Sequence, residues 1–498
     1  MRNLILGILL AALLGGCTQM RHPGQPTNIV FILADDLGWM DLETYGSRYY
    51  ETPNFTRLAE MGMSFTRAYT ANPLCSPTRA SIMSGKHPAR FFLTLPAGHL
   101  PPNPDEVLMP QKGAPWQKVI CPKSRTFMPL EEYTIAEALK NAGYITAHIG
   151  KWHLGHEKYW PEHQGFDINI GGGQYPGPPS YFSPYKIVTL PDGPEHEYIA
   201  DRCTDEAIKF LEDHRDDPFF LSYWQYPVHA PYQAHLELIE KYRRKTDPRD
   251  KQRNPIMGAM IESLDNSVGR VLDKLEELDL MDHTLIVFFS DNGGNEYDIV
   301  NGEYPTNNDP LRYGKGNIYE GGIRVPCIVV WPGKVEPNTV SSEIIQSIDF
   351  YPTLLEVAGL KPREGQVLDG VSLIDLWTRN RPLNRKAIFS HFPHYTPVTY
   401  GLPTTAVWSG PWKLHRQYGE GPDQSNGFRL YNLEEDIGET HDLAGQYPDI
   451  VKELDGLITE HLRHIGALIP VANPAYDTDA KSPMGVQHDF PMDRYPSY

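Results

Sequence analysis

The sequence predicts an α/β protein with two parts. The first is a large domain with a mainly parallel, mixed sheet sandwiched by helices, and the second is a smaller antiparallel sheet with one packed helix. Two observations carry this prediction. From about residue 28 to 360, apolar runs of strand length alternate with segments of helical period, which is typical of a parallel sheet covered on both faces. From about residue 386 the apolar runs become short and closely spaced, which favours antiparallel pairing.

The elements of the large domain follow in order along the chain. Strands are expected at 28–34, 64–69, 144–150, 219–226, 285–290 and 325–331, and helices from residue 54, at 134–143, 203–216, 257–280 and 349–360. Thr134 and Glu137 have the spacing of a capping box, and Gly143 is a suitable residue to end that helix. Each strand is therefore followed by a helix or by a loop at the edge of the sheet.

The C-terminal part is predicted from short strand-like pieces at 387–392, 405–408, 412–416 and 428–432, a helix at 449–465, and a tail from 469 with little periodicity. We therefore expect a large domain at 28–385 and a C-terminal subdomain with its tail at 386–498. Residues 91–129, which include eight prolines, and residues 171–194 are predicted to be long loops. Such loops either border a binding site or lie on the surface without contacting one, and the sequence favours neither role.

The N-terminus is predicted to be a lipoprotein signal peptide spanning residues 1–17. The apolar run at 4–14 is too short to span a membrane and suits a signal peptide. Its end, Leu13-Leu14-Gly15-Gly16-Cys17, resembles a bacterial lipobox, so Cys17 is expected to be lipidated and residues 18–27 to be a tether. The chain is then exported and anchored in a bacterial envelope, in the outer membrane or facing the periplasm, with this lipid as its membrane contact. An ordinary cleaved signal with an incidental cysteine is the alternative.

Charge and cysteine content restrict the partners. The chain has 45 Lys and Arg against 63 Asp and Glu, a formal net charge of −18, which disfavours nucleic acid as a partner. An anionic substrate therefore needs a local group of basic residues or a metal. Beyond Cys17 the chain has Cys75, Cys121, Cys203 and Cys327, which are too few for a disulfide framework. Cys203 and Cys327 are predicted to be buried thiols.

Polar side chains follow four of the predicted strands. They are Asp35 and Asp36 after the first, Lys151 and His153 after the third, His229 after the fourth, and Asp291 and Asn292 after the fifth. The carboxyl ends of parallel strands meet at one edge of the sheet, so these groups are expected to form one site. Asp35, Asp36, Asp291 and Asn292 offer only oxygen donors, which calcium and magnesium prefer. Taken singly, adjacent acidic residues after a strand are often only a helix cap.

The segment from Leu74 to Gly85 is predicted to form a short helix. Ser76 is a suitable N-cap, Pro77 a suitable first helical residue and Gly85 a suitable residue to end the helix. Cys75 then lies at the positive end of this helix, with Arg79 one turn away. The alternative is a buried thiol next to a cap.

Several motifs, in order, resemble those of type I sulfatases, members of the alkaline phosphatase superfamily. They are Cys75-x-Pro77-x-Arg79 with Gly85, the pair Asp35-Asp36, Gly150-Lys151-Trp152-His153-Leu154-Gly155, Pro227-x-His229-x-Pro231, Asp291-Asn292-Gly293-Gly294, Gly314-Lys315-Gly316, and Glu320-Gly321-Gly322-Ile323-Arg324-Val325-Pro326. Ser84 stands where the family usually has Thr. The resemblance spans about residues 28–465. With the predicted anchor, the chain resembles bacterial lipoprotein polysaccharide sulfatases.

The resemblance implies a mechanism and a role for each residue. A separate maturation enzyme converts the cysteine, here Cys75, to formylglycine (3-oxoalanine), whose hydrate attacks the sulfur of a sulfate ester. By this resemblance, one Ca²⁺ is held by Asp35, Asp36, Asp291 and Asn292. Arg79 holds the nucleophile, and Lys151 and Lys315 bind the sulfate oxygens. His153 assists deprotonation of the diol, and His229 protonates the leaving oxygen.

The predicted substrate is a sulfated poly- or oligosaccharide. Tyr175, Tyr181, Tyr185 and Trp160 are candidates to stack on sugar rings, and Arg312, His391 and His394 are candidates to contact a carboxylate or a second sulfate, although packing is the simpler role for those three. Two alternative functions remain open: a phosphodiester or phosphonate hydrolase of the same superfamily, and a lipid-anchored sugar-binding protein that has lost its activity.

Overall fold

The computed structural model describes residues 26–399 and 401–482 and the backbone of 488–490. The predicted signal peptide with Cys17, and the tether up to residue 25, lie outside these residues. The strands are β1 Asn28–Ala34, β2 Met63–Tyr69, β3 Val119–Ile120, β4 Ile145–Gly150, β5 Ile168–Ile170, β6 Phe219–Trp224, β7 Thr284–Ser290, β8 Asp298–Val300, β9 Arg324–Val330, β10 Thr339–Ser341, β11 Ile345–Gln346, β12 Ile388–Phe392, β13 Thr404–Ser409, β14 Trp412–Gln417, β15 Gly427–Asn432, β16 Val471–Ala472 and β17 His488–Phe490.

Helices cover both faces of the larger sheet and one face of the smaller one. They are α1 Pro53–Glu60, α2 Cys75–Ser84, α3 Ile135–Asn141, α4 Ile199–Asp213, α5 Leu236–Arg243, α6 Pro255–Glu277, α7 Glu320–Ile323, α8 Phe350–Val357, α9 Ile374–Arg379 and α10 Pro448–Ile465. Among the described residues, no helix combines the length and the apolar character needed to cross a membrane.

The large sheet has the strand order β10-β2-β9-β7-β1-β6-β4-β5, with β11 beside β2. Strands β7, β1, β6, β4 and β5 are parallel to one another, whereas β9 runs antiparallel to both β7 and β2. The predicted mainly parallel, mixed sheet is therefore confirmed. Because β7, β1, β6 and β4 are adjacent and parallel, their carboxyl ends meet at one edge.

Two apolar cores lie on opposite faces of this sheet, as the alternating side chains of β1 show. Val30 and Ile32 pack into the core that contains residues of α1, α4, α5 and α6. Ile29, Phe31 and Leu33 pack into the core that contains residues of α2, α3, α8 and α9. The strand is buried along its whole length, which is why it reads in the sequence as a continuous apolar run.

The C-terminal sheet is antiparallel, in the order β12-β13-β14-β15, and α10 packs on it. Leu454, Ile458 and Leu462, at helical spacing on α10, form an apolar core with side chains of the sheet. This confirms the predicted small antiparallel sheet with a packed helix.

A buried charge network joins this sheet to the large domain. Lys413 on β14 places its Nζ 3.0 Å from Oε1 of Glu320 and 2.8 Å from Oε1 of Glu439, and all three side chains are fully buried. Trp408 on β13 donates a further hydrogen bond to Glu320. Because Glu320 is five residues after Lys315, the C-terminal sheet holds in place the loop that carries this predicted site lysine.

Three details of the sequence prediction are wrong. Helix α2 begins at Cys75, and Ser76 is not its N-cap: the Ser76 hydroxyl donates to the carbonyl of His153 instead, so a tertiary contact replaces the local cap. Helix α4 begins at Ile199, four residues before the predicted start. The loop 91–129 contains the short strand β3, which pairs with β16 of the tail. These short strands are paired through backbone contacts that no local pattern indicates.

Candidate active site

The polar residues predicted to meet at the edge of the sheet do meet there. Asp35 and Asp36 directly follow β1, Lys151 directly follows β4, and Asp291 directly follows β7. The backbone N–H of Asp36 donates to Oδ1 of Asp291, at 3.2 Å, so the ends of β1 and β7 are tied together. All of these side chains are buried.

Arg79 connects helix α2 to two strands. Its Nε donates to Oδ2 of Asp291 at 2.8 Å, its Nη1 donates to the carbonyl of Lys151 at 2.6 Å, and its Nη2 lies 3.7 Å from Oδ1 of Asp35. Nζ of Lys151 in turn donates to Oδ2 of Asp35 at 2.6 Å. The guanidinium therefore fixes α2, and with it Cys75, relative to the carboxylates.

Asp36 is the centre of a second set of contacts. Its Oδ2 accepts a hydrogen bond from Nζ of Lys315 at 2.7 Å and lies 3.8 Å from Nε2 of His229, while its Oδ1 accepts one from Nδ2 of Asn292 at 2.8 Å. Burial favours a raised pKa for Asp36, but Lys315 and His229 outweigh it and lower the pKa. Asp36 is therefore a carboxylate at neutral pH.

The buried edge brings together three acidic and three basic side chains, which are Asp35, Asp36, Asp291, Arg79, Lys151 and Lys315. Burial raises the pKa of Asp35 well above its usual value, and Asp291 and Asp36 add to this, although Lys151 and Arg79 oppose it. A further cation beside Asp35 would favour its ionised form. It would also make the whole edge net positive, which suits an anionic ligand.

Two buried oxygens at this edge accept no hydrogen bond from the described residues. Oδ1 of Asp35 and Oδ1 of Asn292 are buried and accept no hydrogen bond. Donor atoms of Asp35, Asp36 and His229 also lie within 4.8 Å of one another, as in a metal site. Buried oxygens left unsatisfied are costly, and an oxygen-binding divalent cation would satisfy them. The residues present therefore fit the predicted cation.

Cys75 is the first residue of α2 and is 1% exposed. Its Sγ lies 3.3 Å from Nδ1 of His153. Burial raises the pKa of the Cys75 thiol, even though Lys151 and Lys315 lower it. An unmodified thiol here is protonated at neutral pH and is a poor nucleophile.

A second histidine, His99, contacts His153, and the sequence analysis did not identify it as a site residue. Its Nδ1 lies 3.1 Å from Nε2 of His153, and its ring also hydrogen-bonds the backbone of Pro96. Gly98 allows this approach, because a Cβ there would lie 2.0 Å from the carbonyl oxygen of His153. His99 lies in the proline-rich loop 91–129, where no motif distinguishes it from a surface residue.

The hydrogen bonds of His153 bear on its role as a proton acceptor. Burial, with Lys151 and His99, lowers the pKa of His153 well below its usual value, so the ring is neutral at neutral pH. In the tautomer in which the Cys75 thiol donates to Nδ1 of His153, Nε2 of His153 carries the ring proton and donates a hydrogen bond to Nδ1 of His99. Nδ1 of His153 then carries a lone pair directed at Cys75, as a general base requires.

The three residues considered as further substrate contacts are bonded within the protein. Both ring nitrogens of His391 are bonded, to Thr405 and to the carbonyl of Leu468, and Nε2 of His394 is bonded to Thr94. Both histidines are buried, so they are packing residues. Arg312 donates to the carbonyl of Glu439 and lies over the rings of Tyr313 and Tyr319. These three side chains therefore make packing contacts within the protein, which was the simpler of the two roles considered for them.

Three of the aromatic rings considered for stacking on sugar rings are buried. Tyr181 and Tyr185 are fully buried, and their hydroxyls bond the backbone of His229 and the side chain of Glu197. Trp160 is nearly buried and donates to Gln174. The rings of Tyr181 and Tyr185 are therefore buried within the loop 171–194.

Comparisons with known proteins agree with the geometry. The family model described as Sulfatase matches residues 27–360, and one described as N-sulphoglucosamine sulphohydrolase, C-terminal, matches residues 311–464. A sulfatase of Formosa agariphila is 32% identical over 89% of this chain and 89% of its own. The N-acetylgalactosamine-6-sulfatase of Homo sapiens is 30% identical over 90% of this chain and 87% of its own. The crystal structure of Ps i-CgsB in complex with k-i-k-neocarrahexaose is 28% identical, with a TM-score of 0.71 over 88% of this chain and 93% of its own.

Chelation is expected to lower the melting temperature of the protein. A cation that binds only the native state stabilises it by about 2.7 kcal/mol when its free concentration is a hundred times its Kd. The measurement is a thermal melt in EDTA and again with excess CaCl₂.

Two variants test whether the change in melting temperature arises from a cation at this site. Asn292→Ala removes one unpartnered oxygen and is expected to reduce the shift between the two conditions, whereas Asn426→Ala, on the surface, keeps the wild-type shift. Identical melts of the wild-type protein in EDTA and in calcium would remove the cation from this site.

Proposed function

Because the chain belongs to the sulfatase family, we propose that it hydrolyses sulfate esters of a poly- or oligosaccharide. One observation carries the proposal. Cys75 lies at the N-terminus of α2, with its Sγ 3.3 Å from Nδ1 of His153. Both lie at the sheet edge where Arg79, Lys151 and Lys315 contact acidic side chains. A binding protein would need a place for an anion, but it would not need a buried proton acceptor at that place.

Two groups are proposed to complete the site. Calcium is proposed to be held by Asp35, Asp36, Asp291 and Asn292, where it would supply positive charge that polarises a sulfate ester. Formylglycine is proposed to form from Cys75 through a maturation enzyme, and its hydrate would supply a hydroxyl nucleophile together with a second hydroxyl for release of the product. A plain cysteine or serine would remain sulfated after its attack on sulfur, because it has no second hydroxyl to release the product.

The chain's own residues then have distinct tasks. Lys151 and Lys315 bind sulfate oxygens, since both ammonium groups lie at the site and are held by carboxylates. Arg79 holds position 75 against Asp291. His153 accepts the proton of the nucleophile at Nδ1, because its Nε2 is engaged by His99.

His229 donates a proton to the leaving oxygen. Burial, with Lys315 and Lys151, lowers the pKa of His229, while Asp36 opposes this. A bound sulfate ester adds negative charge beside the ring and favours its protonation. Its Nδ1 lies 2.6 Å from the carbonyl of Ala230, which orients the ring so that Nε2 faces the site.

The named relatives support a saccharide substrate. One is called an N-acetylgalactosamine-6-sulfatase, and the solved relative carries k-i-k-neocarrahexaose. We further propose that the chain is exported and anchored through a lipid on Cys17, on the basis of the signal-like residues 1–17.

Release of inorganic sulfate tests the proposed activity. Purified protein is incubated with an aryl sulfate, the matched aryl phosphonate and phosphodiester, and a panel of sulfated oligosaccharides. We expect sulfate release, with Cys75→Ala folded but at least about 10⁴-fold slower because the nucleophile is removed.

Cys203→Ala, which removes another buried thiol outside the site, is the matched control and keeps its turnover. Wild-type rates in Cys75→Ala, or a preference for the phosphonate or the diester, would contradict the proposal.

His99 is expected to act as a positioning residue. His99→Leu removes the acceptor for Nε2 of His153 and is expected to lower kcat about 10- to 100-fold with little change in KM. His99→Asn, whose side-chain oxygen is an acceptor, should recover part of this loss. The exposed His163→Leu is the control. Equal loss in the Leu and Asn variants would mean that His99 acts only through packing.

A further inference from the structure

A cavity of about 220 Å³ adjoins the proposed sulfate site and is not accounted for by the catalytic residues. Lys315 forms part of its wall, so the cavity and the proposed sulfate site share this residue. Three tyrosines, Tyr297, Tyr304 and Tyr313, also line it. Its size suits a single sugar ring, and a mostly apolar pocket with a few polar groups is typical of small-ligand sites.

Two of the tyrosines present exposed ring surface. Tyr304 is 46% exposed and Tyr313 is 39% exposed, so both side chains are accessible to a ligand. Tyr313 is also held in place from behind: the guanidinium of Arg312 lies 5.1 Å from the centre of its ring, and the ring of Tyr319 packs against it at 5.3 Å. Rigid, exposed aromatic surface next to a polar anchor suits the apolar face of a sugar ring.

The charges of the cavity restrict the sugar further. Among the described residues that line it, Lys315 is the one permanent cation, and Asp36 already pairs with it. The guanidinium of Arg312 is directed away, to the carbonyl of Glu439 and the ring of Tyr319. Burial, with Asp41 and Asp309 nearby, raises the pKa of Glu296 to about 8, so its carboxyl group is neutral at neutral pH. The wall therefore offers no charge partner for a second anionic substituent.

We propose that this cavity binds the sugar ring that carries the scissile sulfate, with the ring against Tyr304 and Tyr313, and that this ring bears no further anionic group. The inference rests on the proposed function and adds to it a substrate class, which is a singly sulfated ring without a carboxylate or a second sulfate. Neutral hydroxyl or acetamido substituents would meet the side chains of Glu296 and Asn307, which also line the cavity.

Binding to the Cys75→Ala protein tests the cavity without turnover. The titrants are inorganic sulfate, the 6-sulfates of galactose, N-acetylgalactosamine and N-acetylglucosamine, and glucosamine 2-N,6-O-disulfate, which carries a second anionic group on the same ring. We expect at least one singly sulfated sugar to bind more tightly than inorganic sulfate, and the disulfate to bind less tightly than N-acetylglucosamine 6-sulfate.

Tyrosine variants locate the binding. Tyr313→Ala and Tyr304→Ala, each made in the Cys75→Ala protein, are expected to raise the Kd of that sugar about tenfold while leaving the Kd of inorganic sulfate within about twofold. Tyr447→Ala, at a similarly exposed tyrosine that packs on Trp412 far along the chain, is the matched control and should leave both values unchanged.

Three results would overturn the proposal: no singly sulfated sugar binds more tightly than inorganic sulfate, the disulfate binds at least as tightly as its singly sulfated partner, or the tyrosine variants bind sugars as their parent does. Failure of the proposed function looks different. The wild-type protein would then release no sulfate from any ester, while the sugar binding and its dependence on Tyr304 and Tyr313 remained.

Discussion

Arg79 makes the contacts on which the rest of the site depends. Its guanidinium joins helix α2 to Asp291 after β7 and to the carbonyl of Lys151 after β4, entirely out of contact with solvent. Breaking a buried ion pair by removing one partner costs about 3–5 kcal/mol, because the other charge is left uncompensated. The parallel strands bring the charged groups to one edge, and this one side chain then sets where Cys75 lies among them.

The same arrangement reconciles an acidic protein with an anionic substrate. The chain carries a formal charge of −18, yet the site balances three acidic side chains against Arg79, Lys151 and Lys315. A divalent cation bound to the unpartnered oxygens of Asp35 and Asn292 would make this buried edge net positive. In a region with little water, that charge would attract an ester sulfate much more strongly than the same charge on the surface.

The parts of the fold and site that the sequence predicts are those with a local or repeated signal. Buried strands appear as apolar runs, and the residues after them could be assigned to one edge because parallel strands end together. Contacts between distant segments carry no such signal. Ser76 has the pattern of an N-cap but bonds the carbonyl of His153, and His99 reaches His153 from a loop without periodicity. His391 is chemically suited to bind an anion, and only the packing of the C-terminal sheet shows that both its nitrogens are engaged.

The central claim is that Cys75 is the precursor of a nucleophile and not a structural thiol. Mass spectrometry of the peptide containing Cys75, from protein made in a host that has the maturation enzyme, tests it most directly. The account predicts formylglycine at position 75 and intact thiols at Cys203 and Cys327, which are buried outside the site. An unmodified Cys75 in protein that still releases sulfate would contradict the account, because burial keeps that thiol protonated and unreactive.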